Sequence, residues 1–310
     1  MSSAGPGPGP GPLPVAERTI RTAATALGAV EYASLGEGLP VLVVHGSPGG
    51  HDVGTAMARF LVPHGFRAIV PSRPGYLGTP LGSGDTPDAQ ADLFVALFDA
   101  LGVDRAGVLC WSGGGPSSYR LAVRHPDRVS ALVTTAAVSH RYLFEGEPVA
   151  ERLVMGTCIG RWMLALMAEH MPERLISATV AAEGDLTEEQ VAERTGQIMA
   201  DPERTRFTLD VAVSANRSGP RKAGFDNDLR QFAAITSLEL ERITAPCLIV
   251  QGSADTDVVP EYSRFAAERI PGAELVELPD GTHLAFFVHP DAPPVRQRAI
   301  QLFAREAGRS

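Results

Sequence analysis

A chain of 310 residues is long enough for one large α/β domain, or for a core domain that carries an insertion. The net charge of −9, with no cluster of Lys or Arg, argues against a nucleic-acid partner and against an anionic membrane surface. The 3 cysteines lie far apart and form no C-x-x-C pair, which indicates reduced thiols rather than a disulfide framework or a zinc site. We expect a small-molecule substrate, with a homodimer as a possible assembly.

The first 14 residues contain a strict Gly-Pro alternation at positions 5–12, which can form neither a helix nor a strand ladder, so residues 1–14 are predicted to be a disordered tail. The tail lacks the basic start and the apolar stretch of a secretory signal. No run of apolar residues is long enough for a membrane span. These features favour a cytoplasmic location.

Hydrophobic patterning then predicts the core. Residues 18–24 and 29–36 alternate apolar and polar side chains, which is typical of an amphipathic hairpin. Nearly continuous aliphatic runs follow at 40–46, 67–72, 106–112, 129–138, 246–252 and 273–281. Helical patterns lie between them, at 53–63, 87–101, 114–125, 261–270 and 293–307. Strands that are apolar on both faces and alternate with helices predict an α/β fold, with a mostly parallel, doubly wound sheet of about eight strands.

Residues 141–236 interrupt this alternation because they carry helical signals but no aliphatic strand. The tetrapeptide TEEQ at 187–190 predicts a capping box at the start of one helix. A Met-rich stripe at 154–171 would either line an apolar pocket or pack its helix, and packing is favoured. The interval is too long for a loop. We therefore predict a helical cap (141–236) inserted into a core formed by residues 15–140 and 237–310.

The stretch CWSGGG (110–115) ends an aliphatic strand and opens a helix. A helix N-terminus favours negative charge, and small residues suit so sharp a turn, which makes Ser112 the candidate nucleophile and the N–H of Gly113 a candidate oxyanion donor. A non-catalytic, glycine-rich connection between a strand and a helix would have the same pattern. Cys110 stands where the G-x-S-x-G pattern has its first glycine. A cysteine buried in an apolar strand is inert, so we interpret Cys110 as filling space.

A serine nucleophile needs a base, and the base needs an orienting acid. Asp255 lies in the loop after one late strand and His283 in the loop after the next, in the chain order Ser, Asp, His that this architecture requires. Asp257 is the competing acid and is expected only to shape its loop. Since His283 must be neutral to accept a proton, kcat/KM is expected to rise through an apparent pKa of about 6–7.

The loop HGSPGG (45–50) follows the first long parallel strand. Its backbone N–H groups, that of Ser47 in particular, would face the space above the nucleophile and supply the second oxyanion donor. His45 is expected to be structural, packing and hydrogen-bonding to the next loop. A phosphate-binding loop is the rival interpretation, but neither G-x-x-x-x-G-K-[ST] nor G-x-G-x-x-G is present.

The segments VHGSPGG, SRPGYLGTP, CWSGGGP, QGSADTDVVP and GTHL together resemble the α/β-hydrolase superfamily over residues 17–307, in particular its capped esterases and iminopeptidases. The resemblance implies a cofactor-free and metal-free serine hydrolase with Ser112, Asp255 and His283 as catalytic residues and Ser47 and Gly113 as oxyanion donors. It also implies a small or medium carboxylic ester or lactone as substrate, cleaved through an acyl-enzyme between cap and core. A peptidase, thioesterase or C–C-bond hydrolase of this fold, or a non-hydrolytic receptor or lyase, is the alternative.

Overall fold

The computed structural model describes residues 19–144, 146 and 149–308, with the backbone alone at 149–152. The predicted tail, residues 1–14, lies outside the described residues. Eight strands form one sheet in the order β1-β2-β4-β3-β5-β6-β7-β8. Their bounds are β1 (Thr19–Thr25), β2 (Gly28–Leu35), β3 (Leu39–Val44), β4 (Phe66–Pro71), β5 (Ala106–Trp111), β6 (Val129–Thr135), β7 (Cys247–Gly252) and β8 (Glu274–Leu278). The predicted doubly wound sheet is confirmed.

Only the first part of the sheet is antiparallel. β1 pairs with β2 as the predicted hairpin, and β2 pairs antiparallel with β4. From β4 to β8 every neighbouring pair is parallel, which brings the carboxyl ends of these strands to one edge. Loops at that edge are where α/β sheets place their ligand sites.

Helices cover both faces of the sheet. The predicted helical patterns outside 141–236 all form helices, within three residues of the expected starts. The first is shorter than predicted, because the chain tightens into a 3-10 turn at Arg59–His64 that contains Pro63 and ends at Gly65, whose φ is 78°. The helices are α1 (His51–Ala58), α2 (Pro87–Leu101), α3 (Gly115–Arg124), α4 (Val149–Gly156), α5 (Cys158–His170), α6 (Pro172–Ala182), α7 (Glu188–Met199), α8 (Pro202–Ser214), α9 (Lys222–Ala234), α10 (Pro260–Arg269), α11 (Ala285–Val288) and α12 (Ala292–Ala307).

The core has one layer on each side of the sheet. Along β3 the side chains alternate, so that Val41 and Val43 pack with α1 and α12 while Leu42 and Val44 pack with α2 and α3. This period of two, with apolar residues on both faces, explains why β3 reads as one aliphatic run. No helix within the described residues is long and apolar enough to cross a membrane.

The interval between β6 and β7 holds α4–α9, which we call the helical segment (149–234). The predicted capping box is present, since Thr187 Oγ1 accepts from the Gln190 N–H and Gln190 Oε1 accepts from the Thr187 N–H. In α5, Leu164 is buried, whereas Trp162 is 64% and Met163 42% exposed. Met155 and Met167 pack against the small cluster that contains Leu164, which agrees with packing as the role of most of the stripe, whereas Trp162 and Met163 do not pack.

Candidate active site

Ser112 lies at a strained turn between β5 and α3. Its φ of 53° is in the left-handed region, which a residue with a side chain enters only when the surrounding structure holds it there. Close approaches explain the glycines nearby: a Cβ on Gly46 would lie 2.9 Å from the Ser112 Cβ, and a Cβ on Gly114 would lie 2.8 Å from the Val44 carbonyl oxygen. The turn therefore places the Ser112 hydroxyl group beside the loop after β3, since a Cβ on Gly46 would lie 3.5 Å from Ser112 Oγ.

Cys110 occupies the core side of β5. It pairs with Thr134 of β6, is fully buried and packs in the apolar layer that contains Val44 and Tyr119. Burial raises the pKa of its thiol to about 12. A thiolate is therefore scarce at neutral pH, and the geometry agrees with a space-filling role.

Asp255 and His283 meet at the loops after β7 and β8. His283 Nδ1 lies 2.8 Å from Asp255 Oδ2, and both side chains are buried. The Asp255 carboxylate also accepts from Gln251 Nε2 at 3.0 Å, and from the N–H groups of Asp257 at 2.9 Å and Val258 at 3.0 Å. Because this carboxylate is held on every side, it fixes the His283 tautomer with the proton on Nδ1 and leaves Nε2 as the basic nitrogen.

The backbone of His283 is held from two directions. Its N–H donates to the Glu183 carbonyl oxygen at 2.9 Å, which ties the β8 loop to the end of α6. Its carbonyl oxygen accepts from Trp111 Nε1 at 3.1 Å, and the Trp111 and His283 rings lie 5.1 Å apart. Trp111 precedes Ser112, so the residue beside the candidate nucleophile also positions the candidate base.

Asp257 lies beside the His283 ring, a contact that its expected role in shaping the loop did not include. The Asp257 Oδ2 atom lies 3.5 Å from His283 Nε2, the ring nitrogen that Asp255 does not contact. One ligand-type oxygen each from Asp257 and Glu183, with a His283 ring nitrogen, lie within 4.8 Å of one another. These donor types would suit a cation, and the charges of both carboxylates also raise the pKa of the His283 ring.

Charge decides the basicity of His283. Burial lowers its pKa, but the charges of Asp255 and Asp257, the hydrogen bond to Asp255 and the charge of Glu183 together outweigh burial. The pKa of His283 is therefore raised above its ordinary value. Within the described residues, Nε2 has no hydrogen-bond partner, so Ser112 and His283 are not joined by a hydrogen bond in this structure.

The loop that carries Ser47 lies against the nucleophile turn. A Cβ on Gly113 would lie 2.2 Å from Ser47 Oγ, so the two predicted oxyanion donors belong to adjoining residues. His45 is structural, as expected: its Nε2 accepts from the Arg73 N–H at 2.9 Å, and its Nδ1 lies 2.7 Å from the Gly46 carbonyl oxygen. Burial and the charge of Arg73 hold the pKa of His45 well below its ordinary value, which keeps the ring neutral.

A buried polar cluster packs against this loop, and no motif in the sequence indicated it. Arg73 is bidentate to Asp228 of α9 at 2.8 and 2.6 Å, with both side chains at most 3% exposed. The Asp228 carboxylate also accepts from Tyr76 Oη at 2.6 Å and from Ser47 Oγ at 2.5 Å. Arg73 and Tyr76 lie in the quoted SRPGYLGTP segment, but nothing in the pattern around Asp228 separates it from its charged neighbours.

This arrangement of sheet, turn and loops is that of a known protein family. A family model described as alpha/beta hydrolase fold matches residues 40–290. The chain belongs to the α/β-hydrolase family. It is therefore a hydrolase, as the family's named members are.

Its relatives carry hydrolase and esterase names. The chain is 30% identical to the uncharacterized hydrolase YcgS of Bacillus subtilis, over 86% of this chain and 93% of that protein. It is 28% identical to a pimeloyl-[acyl-carrier protein] methyl ester esterase of Aromatoleum aromaticum, over 81% of this chain and 93% of the relative. A solved alpha/beta hydrolase fold protein from Nakamurella multipartita is 69% identical with a TM-score of 0.92, covering 94% of this chain and all of that one.

Proposed function

We propose that this α/β hydrolase is a serine esterase that cleaves small or medium carboxylic esters or lactones through an acyl-enzyme. The observation that carries the proposal is the buried 2.8 Å contact between His283 and Asp255 at the sheet edge where the strained Ser112 turn lies. The esterase name of a 28% identical relative supports an ester as the bond cleaved. The fold alone would not decide among bonds.

In the proposed mechanism Ser112 Oγ attacks the acyl carbonyl carbon while His283 Nε2 accepts the serine proton. The N–H groups of Ser47 and Gly113 stabilise the negative charge that moves onto the carbonyl oxygen. The Asp255 carboxylate stabilises the imidazolium. His283 then protonates the leaving alkoxide, and the same base activates the water that hydrolyses the acyl-enzyme.

The helical segment, we further propose, acts as a cap over this site. Two contacts with the core support that role. The strand bridge between Gly184 and Asp255 and the hydrogen bond from the His283 N–H to Glu183 place the end of α6 directly on the acid and base loops. Residues of the segment would then border the bound acyl group and limit the size of the acyl groups that the site accepts.

A substrate panel with Ser112→Ala tests the function. We expect the wild-type protein to hydrolyse p-nitrophenyl esters of two to eight carbons or simple lactones, and Ser112→Ala to lose on the order of 10⁴-fold in kcat or more. Matched thioester and amide substrates of the same acyl chain identify the preferred bond. Retention of more than about a tenth of the activity by Ser112→Ala, at unchanged folding by circular dichroism, would contradict the proposal.

A further inference from the structure

The cluster behind the Ser47 loop is arranged around one peptide unit. The carbonyl oxygen of Gly46 and the N–H of Ser47 belong to the same peptide group, which is planar, so the orientation of one fixes that of the other. The Gly46 oxygen accepts from Arg73 Nη2 at 2.9 Å and contacts His45 Nδ1 at 2.7 Å. Holding this oxygen toward Arg73 aims the Ser47 N–H in the opposite direction.

Arg73 is itself held by Asp228. The pair is bidentate and almost completely buried, so the guanidinium has one orientation. The same Asp228 oxygen that accepts from Arg73 Nη2 also accepts from Ser47 Oγ and Tyr76 Oη. Asp228 therefore holds the Ser47 residue twice: directly through its hydroxyl group, and indirectly through Arg73 and the Gly46 carbonyl oxygen.

Asp228 belongs to the helical segment, whereas the other members of the cluster belong to the core. Helix α9 reaches the core through two glycines: the Gly224 N–H donates to the Gly75 carbonyl oxygen at 2.9 Å, and a Cβ on Gly75 would lie 2.6 Å from the Gly224 nitrogen. Asp228 follows Gly224 by one helical turn on the same face. The close glycine contact thus brings the carboxylate to the loop.

We propose that Asp228 is a positioning residue that fixes the oxyanion donor Ser47, so that the helical segment completes the oxyanion hole of the core. The inference rests on the proposed serine-hydrolase function and extends it to a residue that touches no reacting atom. Loss of Asp228 removes the acceptor of the Ser47 hydroxyl group and the bidentate partner of Arg73. Arg73 then keeps only its hydrogen bonds to the His45 and Gly46 carbonyl oxygens and to Ser47 Oγ, so the Gly46–Ser47 peptide is held less firmly. Transition-state stabilisation falls while ground-state binding stays.

The test compares variants of the cluster with a matched surface carboxylate. Asp228→Asn removes the charge at nearly constant shape, and Ser47→Ala removes the tethered hydroxyl group but keeps the backbone donor. Tyr76→Phe removes one donor to Asp228 and serves if Asp228→Asn does not fold. The control is Asp226→Asn on the same helix, since Asp226 is exposed and pairs with Lys222 at the surface.

Steady-state kinetics with a p-nitrophenyl ester give the first readout. We expect Asp228→Asn and Ser47→Ala to lower kcat by about 10- to 100-fold with KM within about twofold. The Ser47 N–H is misaligned rather than removed in these variants, and complete removal of an oxyanion donor costs about 10²–10³-fold. The Ki of an alkyl boronic acid, which forms a tetrahedral adduct with the serine, should rise by a similar factor. Asp226→Asn should match the wild type in all three constants.

Hydrogen exchange of the free protein gives a readout that needs no turnover. We expect the amides of residues 45–50 to exchange faster in Asp228→Asn, while those of β5 and β6 stay protected. If the wild type cleaves no ester, the proposed function fails, and the exchange of this loop still decides whether Asp228 holds it. Unchanged loop exchange, unchanged kcat and Ki, or a loss accompanied by faster exchange throughout the sheet would overturn the proposal.

Discussion

Asp255 and Asp257 lie two residues apart and contact different nitrogens of one imidazole ring. Asp255 contacts Nδ1 at 2.8 Å and is buried, whereas Asp257 lies 3.5 Å from Nε2 with 44% of its side chain exposed. Only the first can hold the tautomer that presents a basic Nε2. We expect Asp255→Asn to lower kcat by about 10³–10⁴-fold, as when the base is held in the wrong tautomer, and Asp257→Asn to cost less than about tenfold. The ranking is checked by measuring the rate of ester hydrolysis of each variant at its own pH optimum. The reverse ranking would contradict Asp255 as the orienting acid.

Asp257 should instead set the pH dependence. His283 works as a base only when neutral, so kcat/KM rises with pH through its pKa. Burial lowers that pKa, but the charges of Asp255, then Asp257 and Glu183, place it above its ordinary value. The sequence-based expectation of about 6–7 did not include these charges. We expect Asp257→Asn to move the midpoint to lower pH by about 0.5–1 unit, because removing a partly exposed neighbouring charge weakens the preference for the imidazolium.

The control for this pH profile is Asp280→Asn. Asp280 is exposed and lies three residues before His283, yet its charge is not among those that raise the pKa of His283. A midpoint that shifts equally in both variants would indicate a general charge effect and contradict the local role of Asp257.

Cys110 should tolerate a smaller side chain and reject a larger one. It packs with no exposed surface against Tyr119 and Val44, so Cys110→Ala should change the free energy of unfolding by at most about 1–2 kcal/mol, whereas Cys110→Leu should overpack the layer and cost about 1–3 kcal/mol or more. Urea unfolding measures both. Iodoacetamide should leave wild-type activity unchanged even as it modifies the exposed Cys158. Inactivation that disappears in Cys110→Ala would overturn the space-filling role.

Single residues differ in how far the sequence could place them. Ser112, Asp255 and His283 could be named as candidates because each lies at, or within five residues after, the end of a parallel strand, and parallel strands bring those positions to one edge. Asp228 contacts Ser47 across 181 positions of the chain, and Glu183 meets His283 only where α6 ends on the core. Such contacts depend on how the helical segment docks, which no local pattern records.

The docking of α9 gives a prediction for a whole element. A Cβ on Gly224 would lie 2.3 Å from the Tyr76 ring, which is fully buried, so neither group can move aside cheaply. Gly196 lies inside α7 with nothing within 4 Å of its Cβ position. We expect Gly196→Ala to raise the free energy of unfolding by up to about 1 kcal/mol through helix propensity. Gly224→Ala should lower the free energy of unfolding and, like Asp228→Asn, should also lower kcat. Thermal unfolding checks the signs; equal stabilisation by both would contradict the close packing of α9.

The elements were predicted with unequal accuracy for physical reasons. The strands buried on both faces were placed within three residues at each end, because their aliphatic runs mark the buried part of the chain. The run of β6 overshoots because the strand ends at Thr135, before Ala136 takes a φ of 43°, although Ala136 and Val138 are still buried. Apart from the helix that begins after Thr187, the helical segment was predicted only as a block. Its six helices are half-exposed and mixed in composition, so periodicity does not separate them.

Across the whole molecule, one sheet edge gathers the candidate nucleophile, base, acid and oxyanion loop, and the helical segment contacts three of these parts. Glu183 and Gly184 meet the loops of His283 and Asp255, and Asp228 meets the loop of Ser47. We therefore expect activity to depend on how the helical segment packs on the core as well as on the reacting groups themselves.

In the proposed reaction Ser112 forms the covalent intermediate. The direct measurement is mass spectrometry of the intact protein after treatment with a fluorophosphonate, followed by peptide mapping of the modified residue. We predict one adduct per chain on the peptide that contains Ser112, its loss in Ser112→Ala, and a much slower reaction in Asp255→Asn because the base no longer presents Nε2. An adduct on another residue, or ester hydrolysis that continues at the wild-type rate after Ser112 is fully modified, would contradict the account.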